Sequence, residues 1–125
     1  IQNCKLIIAA SKDDQEIIEE IKKAKIGKNC ISLENLSIQE ILPIIKNCDL
    51  YTGNDTSFMH ISSALGIKCI GIFVDSPAYS YSGYSDNIEA IVPEGETVES
   101  TTHDTLGKDR ISFDEVFRKA KIYLD

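Results

Sequence analysis

Short apolar runs alternate along the chain with stretches whose apolar residues recur every three or four positions. Lys5-Leu6-Ile7-Ile8-Ala9-Ala10 is continuous, as expected of a strand buried on both faces. Ile17, Ile18, Ile21 and Ala24 follow at helical spacing, which predicts an amphipathic helix over residues 13–25 ended by Gly27. Residues 29–33 read as a second, short strand. Ser37-Ile38-Gln39-Glu40 is a capping box that opens a helix with a buried stripe of Ile38, Ile41, Leu42 and Ile45, interrupted by Pro43. A third strand ends at Thr52, a fourth covers residues 69–74 and a last one residues 88–92. Residues 75–87 form a polar loop with three tyrosines, a ligand wall or lid by position. Residues 93–111 are polar and irregular. Ser112-Phe113-Asp114-Glu115 opens a closing helix with Phe113, Val116, Phe117, Ala120 and Leu124 on its buried face. Such alternation predicts one α/β domain, a Rossmann-like parallel sheet with helices on both faces.

One connection stands out chemically. Gly53-Asn54-Asp55-Thr56-Ser57-Phe58-Met59-His60 lies between the strand-like Cys48-Asp49-Leu50-Tyr51-Thr52 and a helix-like run from Ile61 to Leu65, which stops at Gly66. Open α/β sheets bind ligands at turns of this kind, outside the carboxyl ends of the strands. A helix start offers unpaired N–H groups and a partial positive charge, which suits a phosphate. An acid and a histidine share the turn and could hold a polar ligand. The alternative is a solvated turn in which Asp55 or Thr56 caps the helix.

Composition narrows the choice of ligand. The 125 residues suffice for one domain with a core, and 42% apolar with 26% charged residues is ordinary for a globular protein. A net charge of −7 argues against sequence-independent nucleic-acid binding and does not favour an anionic membrane surface. A pyrophosphate would therefore be held by local groups or by another domain. No run of about 18 apolar residues is present, so no transmembrane segment is expected. A chain that begins with Ile1 is expected to be a fragment or a processed product. Cys4, Cys30, Cys48 and Cys69 show no paired spacing, so no metal site is expected. Their apolar surroundings predict buried thiols in a reducing, cytoplasmic setting.

Asn47 to Gly66 resembles the signature of the heptosyltransferases, glycosyltransferase family nine, which reads roughly A-D-L-x-I-S-N-D-[ST]-G-x-M-H-L-A-A-A-L-G. Asn54-Asp55-Thr56, Met59-His60 and Ala64-Leu65-Gly66 match it. Cys69-Ile70-Gly71-Ile72-Phe73 is similar to the strand that follows in the family, and Leu36-Ser37-Ile38-Gln39-Glu40 to its L-S-L-x-E helix start. The resemblance covers residues 5–95 and the closing helix.

The resemblance implies the C-terminal half of a two-domain B-type glycosyltransferase. Residues 1–125 would be the nucleotide-sugar (donor) binding domain, lacking the N-terminal acceptor domain that carries the catalytic base. The donor would be a nucleotide-diphosphate sugar, ADP-heptose-like, and no cofactor or metal is implied. The acceptor, a lipopolysaccharide or other surface glycan, would be met through the missing domain. The setting would be bacterial and cytoplasmic, or peripheral at the inner face of the cell membrane. Carried over residue by residue, Asp55 would bind hydroxyls of the transferred sugar, and Thr56 and Ser57 the phosphates. His60 would orient Asp55 or touch the ligand, Met59 would be core, and Asp14 and Leu36 would lie near the nucleoside. Ser57 stands where the family has Gly, Phe58 where it often has Pro, and Val74-Asp75-Ser76-Pro77-Ala78 where it has G-P-T-D-P. These departures leave open a different donor, or a degenerate, non-catalytic binding or scaffold module.

Overall fold

The computed structural model describes residues 4–24 and 29–125. Gly27 and Lys25, assigned above to the end of the first helix, lie outside the described residues. The chain divides into two compact units, residues 1–44 and 45–125. The parallel pairing predicted from the alternation is realised as two hydrogen-bonded sheets, one of two strands and one of three.

In the first unit, β1 (Leu6–Ile8) pairs in parallel with β2 (Cys30–Ser32), Leu6 opposite Cys30 and Ile8 opposite Ser32. The β1 residues are half-buried rather than buried. A 3₁₀ turn over Lys12–Asp14 leads into α1 (Gln15–Lys23). The turn is locked by Ser11 and Asp14: the Ser11 N–H and hydroxyl both donate to Asp14 Oδ2, at 3.0 and 2.8 Å. On α1, Ile18 is fully buried whereas Ile17 is exposed. The capping box that opens α2 (Ile38–Lys46) forms as read, with the Ser37 N–H and hydroxyl donating to Glu40 Oε2 at 2.8 and 2.7 Å. Those bonds, the backbone one first, hold the Glu40 carboxyl below its usual pKa. The helix runs through Pro43, and burial falls on the single i, i+4 row of Ile41 and Ile45 while Ile38 and Leu42 stay exposed.

The second unit holds a sheet of order β3-β4-β5, all parallel: β3 (Leu50–Asn54), β4 (Lys68–Ile72) and β5 (Ile88–Ile91). Tyr51, Cys69 and Ile88 share one row of the register, and Gly53, Gly71 and Ala90 another. Alternation puts both rows on one face. That face carries α3 (Ser57–Ala64) through Met59 and α4 (Ala78–Ser82) through Ala78, in a core with Cys69, Phe73 and Ile88. The other face, with Ile70 and Ile91 buried, carries α5 (Phe113–Leu124). There Lys119 and Tyr123 of α5 both donate to the Glu89 carboxylate of β5.

Several boundaries differ from the sequence reading. β3 continues to Asn54 and α3 begins at Ser57, so the polar turn shrinks to residues 55–56. The helix starts early because Met59 must reach the core, where it is fully buried. α3 ends in a Schellman turn, with the Gly66 N–H donating to Ser63 O and the Ile67 N–H to Ser62 O, both at 3.0 Å, and Gly66 at φ +84°. The tyrosine loop contains α4, whose serine satisfies its own helix: Ser82 Oγ donates to Ala78 O at 2.7 Å. On α5, Phe113 and Phe117 are exposed and stack on each other at 6.1 Å instead of entering the core. Of the cysteines only Cys69 is buried, its thiol pushed up to about 11 by desolvation, and Cys4, Cys30 and Cys48 are half-buried.

Two outcomes test this packing. A Cβ at Gly71 would stand 2.5 Å from Met59 Sδ and 2.9 Å from Phe73 Cε2. Gly71→Ala is expected to cost about 1–3 kcal/mol in urea unfolding, and less in a Met59→Ala background, because that sulfur is then gone. Glu89 is held below its usual pKa, first by the Lys119 hydrogen bond and then by Tyr123. Its stabilising effect is thus present above the ordinary glutamate value and lost as pH falls through the lowered folded value. Glu89→Gln is expected to be less stable than the parent at pH 7, with the difference closing as pH falls below the ordinary glutamate range and through the lowered folded value.

Candidate functional site

In the β3–β4 register Asn54 lies opposite Ile72, so the two strands end side by side. A cleft of about 510 Å³ opens at that edge. Its floor and one wall come from Asn54, Asp55 and Thr56 after β3. Ile72, Val74, Asp75 and Ser76 at the end of β4 form another wall, and His103, from the loop beyond β5, completes it. Two carboxylates, an amide, two hydroxyls and an imidazole against two aliphatic side chains form a lining suited to a polyhydroxylated, polar ligand.

The turn is shaped by a tyrosine. Tyr51 donates its phenol O–H to Asn54 O at 3.0 Å and lies 3.3 Å from Thr56 Oγ1. Burial raises its pKa, which keeps the proton on the phenol. Gly53 makes this possible, because a Cβ there would stand 2.8 Å from the Tyr51 oxygen. Thr56 takes the N-cap position of α3 in extended conformation, φ −138° and ψ 170°, and makes no side-chain cap bond. The capping alternative is thus not what Thr56 does. The first-turn N–H groups of α3 are left without a side-chain cap beside the cleft, with the positive end of the helix dipole behind them.

Asp55 is braced from the helix. His60 Nε2 lies 3.1 Å from Asp55 Oδ1, and His60 Nδ1 lies 2.5 Å from the Tyr84 hydroxyl. The Asp55 side chain is 17% exposed, so its carboxylate is largely desolvated yet still lines the cleft.

The predicted site residues fall into three groups. Asp55 and Thr56 line the cleft. Ser57, exposed, opens α3 next to Thr56, and His60 reaches Asp55 without lining the cleft itself. Asp14 and Leu36 belong to the first unit: Asp14 closes the Ser11 turn, and Leu36, partly exposed, donates its N–H to Leu33 O at 3.0 Å.

Asn54 and His103 were not named as site residues, whereas Asp75, Ser76 and Tyr84 fall within the 75–87 loop read as a ligand wall or lid, of which Asp75 and Ser76 line the cleft. Asp75 and Ser76 carried a readable signal, since neighbouring parallel strands end at one edge and the residues after β4 must face those after β3. His103 had none. Its position depends on long-range ties: Ala78 N–H to Thr101 Oγ1 at 2.9 Å, Gly107 N–H to Val74 O at 2.7 Å, and its ring 6.4 Å from that of Tyr81.

Comparison with known proteins identifies the family. The family described as glycosyltransferase family 9 (heptosyltransferase) matches residues 2–108, which include every cleft residue. Lipopolysaccharide heptosyltransferase 1 of Campylobacter coli is 32% identical over 90 residues, covering 67% of this chain and 26% of the relative. The chain thus spans about a quarter of the length of that relative. No solved structure matches the chain. An α/β fold with parallel sheets, the Asp55 turn at the sheet edge and a match over residues 2–108 place the chain in glycosyltransferase family 9, the heptosyltransferase family.

Proposed function

We propose that this chain is the donor-binding part of a sugar transferase, and that the cleft beside β3 takes a nucleotide-diphosphate sugar of the ADP-heptose kind. The observation that carries the reading is Asp55, a largely desolvated carboxylate at the cleft, braced by His60 and set just before an uncapped helix start. A carboxylate accepts from two vicinal hydroxyls, which gives orientation as well as affinity. The helix start offers N–H groups and dipole to the diphosphate, whose negative charge rises as the sugar leaves. Thr56 and Ser57 add hydroxyls there.

The acceptor, a lipopolysaccharide or other surface glycan, and the base that deprotonates its hydroxyl belong in this reading to a further domain. Family membership and the relative's printed activity support transfer in the whole protein. The reading places the protein in the cytoplasm, peripheral at the inner face of the membrane. Among the described residues no helix is long and apolar enough to cross a membrane. A second reading, a binding module without transferase activity, is favoured by one feature. Ser57 occupies the first position of α3, where the family pattern has Gly, so its side chain stands where a phosphate would approach the backbone.

Three outcomes test the proposal. Asp55→Ala is expected to weaken nucleotide-sugar binding by about 1.5–3 kcal/mol, the scale of a hydrogen bond to a charged group, and to leave the bare nucleotide nearly unaffected in calorimetric titration. Equal affinity of variant and parent for every nucleotide sugar would refute the role of Asp55. Donor binding is expected to persist in excess EDTA, and its loss there would show that a metal holds the diphosphate. The purified 125-residue chain is expected not to turn over donor and acceptor, and turnover near ~1 s⁻¹, within the range typical of enzymes, would contradict the assignment of the base to another domain.

A further inference from the structure

His60 has partners on both ring nitrogens, and only one of them belongs to the motif. The Tyr84 hydroxyl, 24 residues further on, lies 2.5 Å from Nδ1, and the two rings stack with centroids 5.7 Å apart and an interplanar angle of 28°. An ionised carboxylate is only an acceptor, so at 3.1 Å from Asp55 Oδ1 the His60 Nε2 carries a hydrogen. In a neutral imidazole Nδ1 is then a lone pair, and the phenol is the donor that fills it. Tyr84 is 60% exposed, and partial desolvation of its hydroxyl raises its pKa, in keeping with a phenol that holds its proton.

Tyr84 is delivered by a segment fixed independently of its own hydroxyl. The Gly83 N–H donates to Tyr79 O at 3.0 Å at the end of α4, and a Cβ at Gly83 would stand 2.6 Å from that oxygen. On the other side, Ser85 Oγ lies 2.6 Å from Ser63 Oγ of α3, and Asn87 Nδ2 donates to Ser63 O at 3.3 Å. The tyrosine is thus held against the same helix that carries His60.

We propose that Tyr84 is a positioning residue for the sugar site: its phenol donates to His60 Nδ1, which confines the ring proton to Nε2 and so fixes the Asp55 carboxylate toward the cleft. The inference rests on the donor-site reading for its functional consequence, but not for its geometry. Without the phenol, Nδ1 loses the donor that keeps a proton off it, and the Asp55 carboxylate alone still favours Nε2–H. In the Nδ1–H form Nε2 presents a lone pair to Asp55, so the brace is lost for part of the population.

The test is nitrogen NMR of the imidazoles in the 125-residue chain, with His103 as the internal reference and a His103→Asn variant for assignment. In the parent, His60 is expected as the neutral Nε2–H tautomer at pH 7.5. Tyr84→Phe keeps the ring and its stacking and removes only the hydroxyl, and is expected to shift His60 to a mixture of tautomers with no loss of helical signal. The same variant is expected to bind nucleotide sugar about two- to tenfold more weakly, the scale of one net hydrogen bond, with bare-nucleotide affinity unchanged. A doubly protonated His60 in the parent, or an unchanged tautomer in Tyr84→Phe, overturns the positioning role. If the tautomer shifts but the parent does not prefer any nucleotide sugar over its nucleotide, the donor-site reading fails instead, and with it the functional consequence proposed for Tyr84.

Discussion

The seating of Met59 over Gly71 is the contact on which the site depends. Gly71 has no side chain, so the thioether of α3 sits directly on β4, between Phe73 and Ile88. That contact fixes the rotation of α3 about its axis. His60 is the next residue, about 100° further around the helix by its 3.6-residue period, and this rotation brings it to Asp55. The sheet register makes the complementary choice: with Asn54 opposite Ile72, the turn after β3 and the residues after β4 open on the same cleft. A bulkier residue at position 71 would lift the helix and carry the brace on Asp55 with it.

A second constraint acts on the turn itself. Tyr51 and Gly53 lie on the same face of β3, and the phenol crosses the glycine to hold Asn54 O. The turn is therefore fixed from below, by a partly buried side chain, and not by the cap that Thr56 could have supplied. The first turn of α3 is thus left without a side-chain cap, although the Met59 N–H already donates to Thr56 O at 3.0 Å. The hold by Tyr51 also explains how a polar turn of two residues keeps a defined shape beside the cleft. Preorganisation of this kind lowers the cost of ordering the site on binding.

Most of the architecture was legible in the pattern of apolar residues. Among the described residues, all five strands and four of the five α-helices overlap the stretches that periodicity and capping signals assigned to them, α3 with an earlier start at Ser57, and the Ser37–Glu40 box forms as read. The failures share a cause. α4 was hidden because Ala-Tyr-Ser-Tyr-Ser has loop composition and is helical only through contacts such as Thr101 to Ala78. Phe113 and Phe117 were assigned to a core because aromatic residues at i, i+4 fit a buried face, yet on α5 they satisfy each other at the surface. Of the site, the local half was readable: Asp55, Thr56 and His60 lie within six residues, and Asp55 with Thr56 lines the cleft. The non-local half was not, because the positions of His103 and Tyr84 are set by tertiary ties that leave no mark on periodicity.

The proposed donor site requires that the ligand's sugar lie against Asp55 in the cleft beside β3. Amide chemical-shift mapping with the tightest-binding member of an ADP-, UDP- and GDP-sugar panel, set against the matching bare nucleotide, measures this directly. The account predicts that the shifts caused by the sugar alone centre on residues 54–57 and 75–76, with His103 and His60 affected next. Sugar-dependent shifts confined to other parts of the chain, or the absence of binding by every member of the panel, would contradict it.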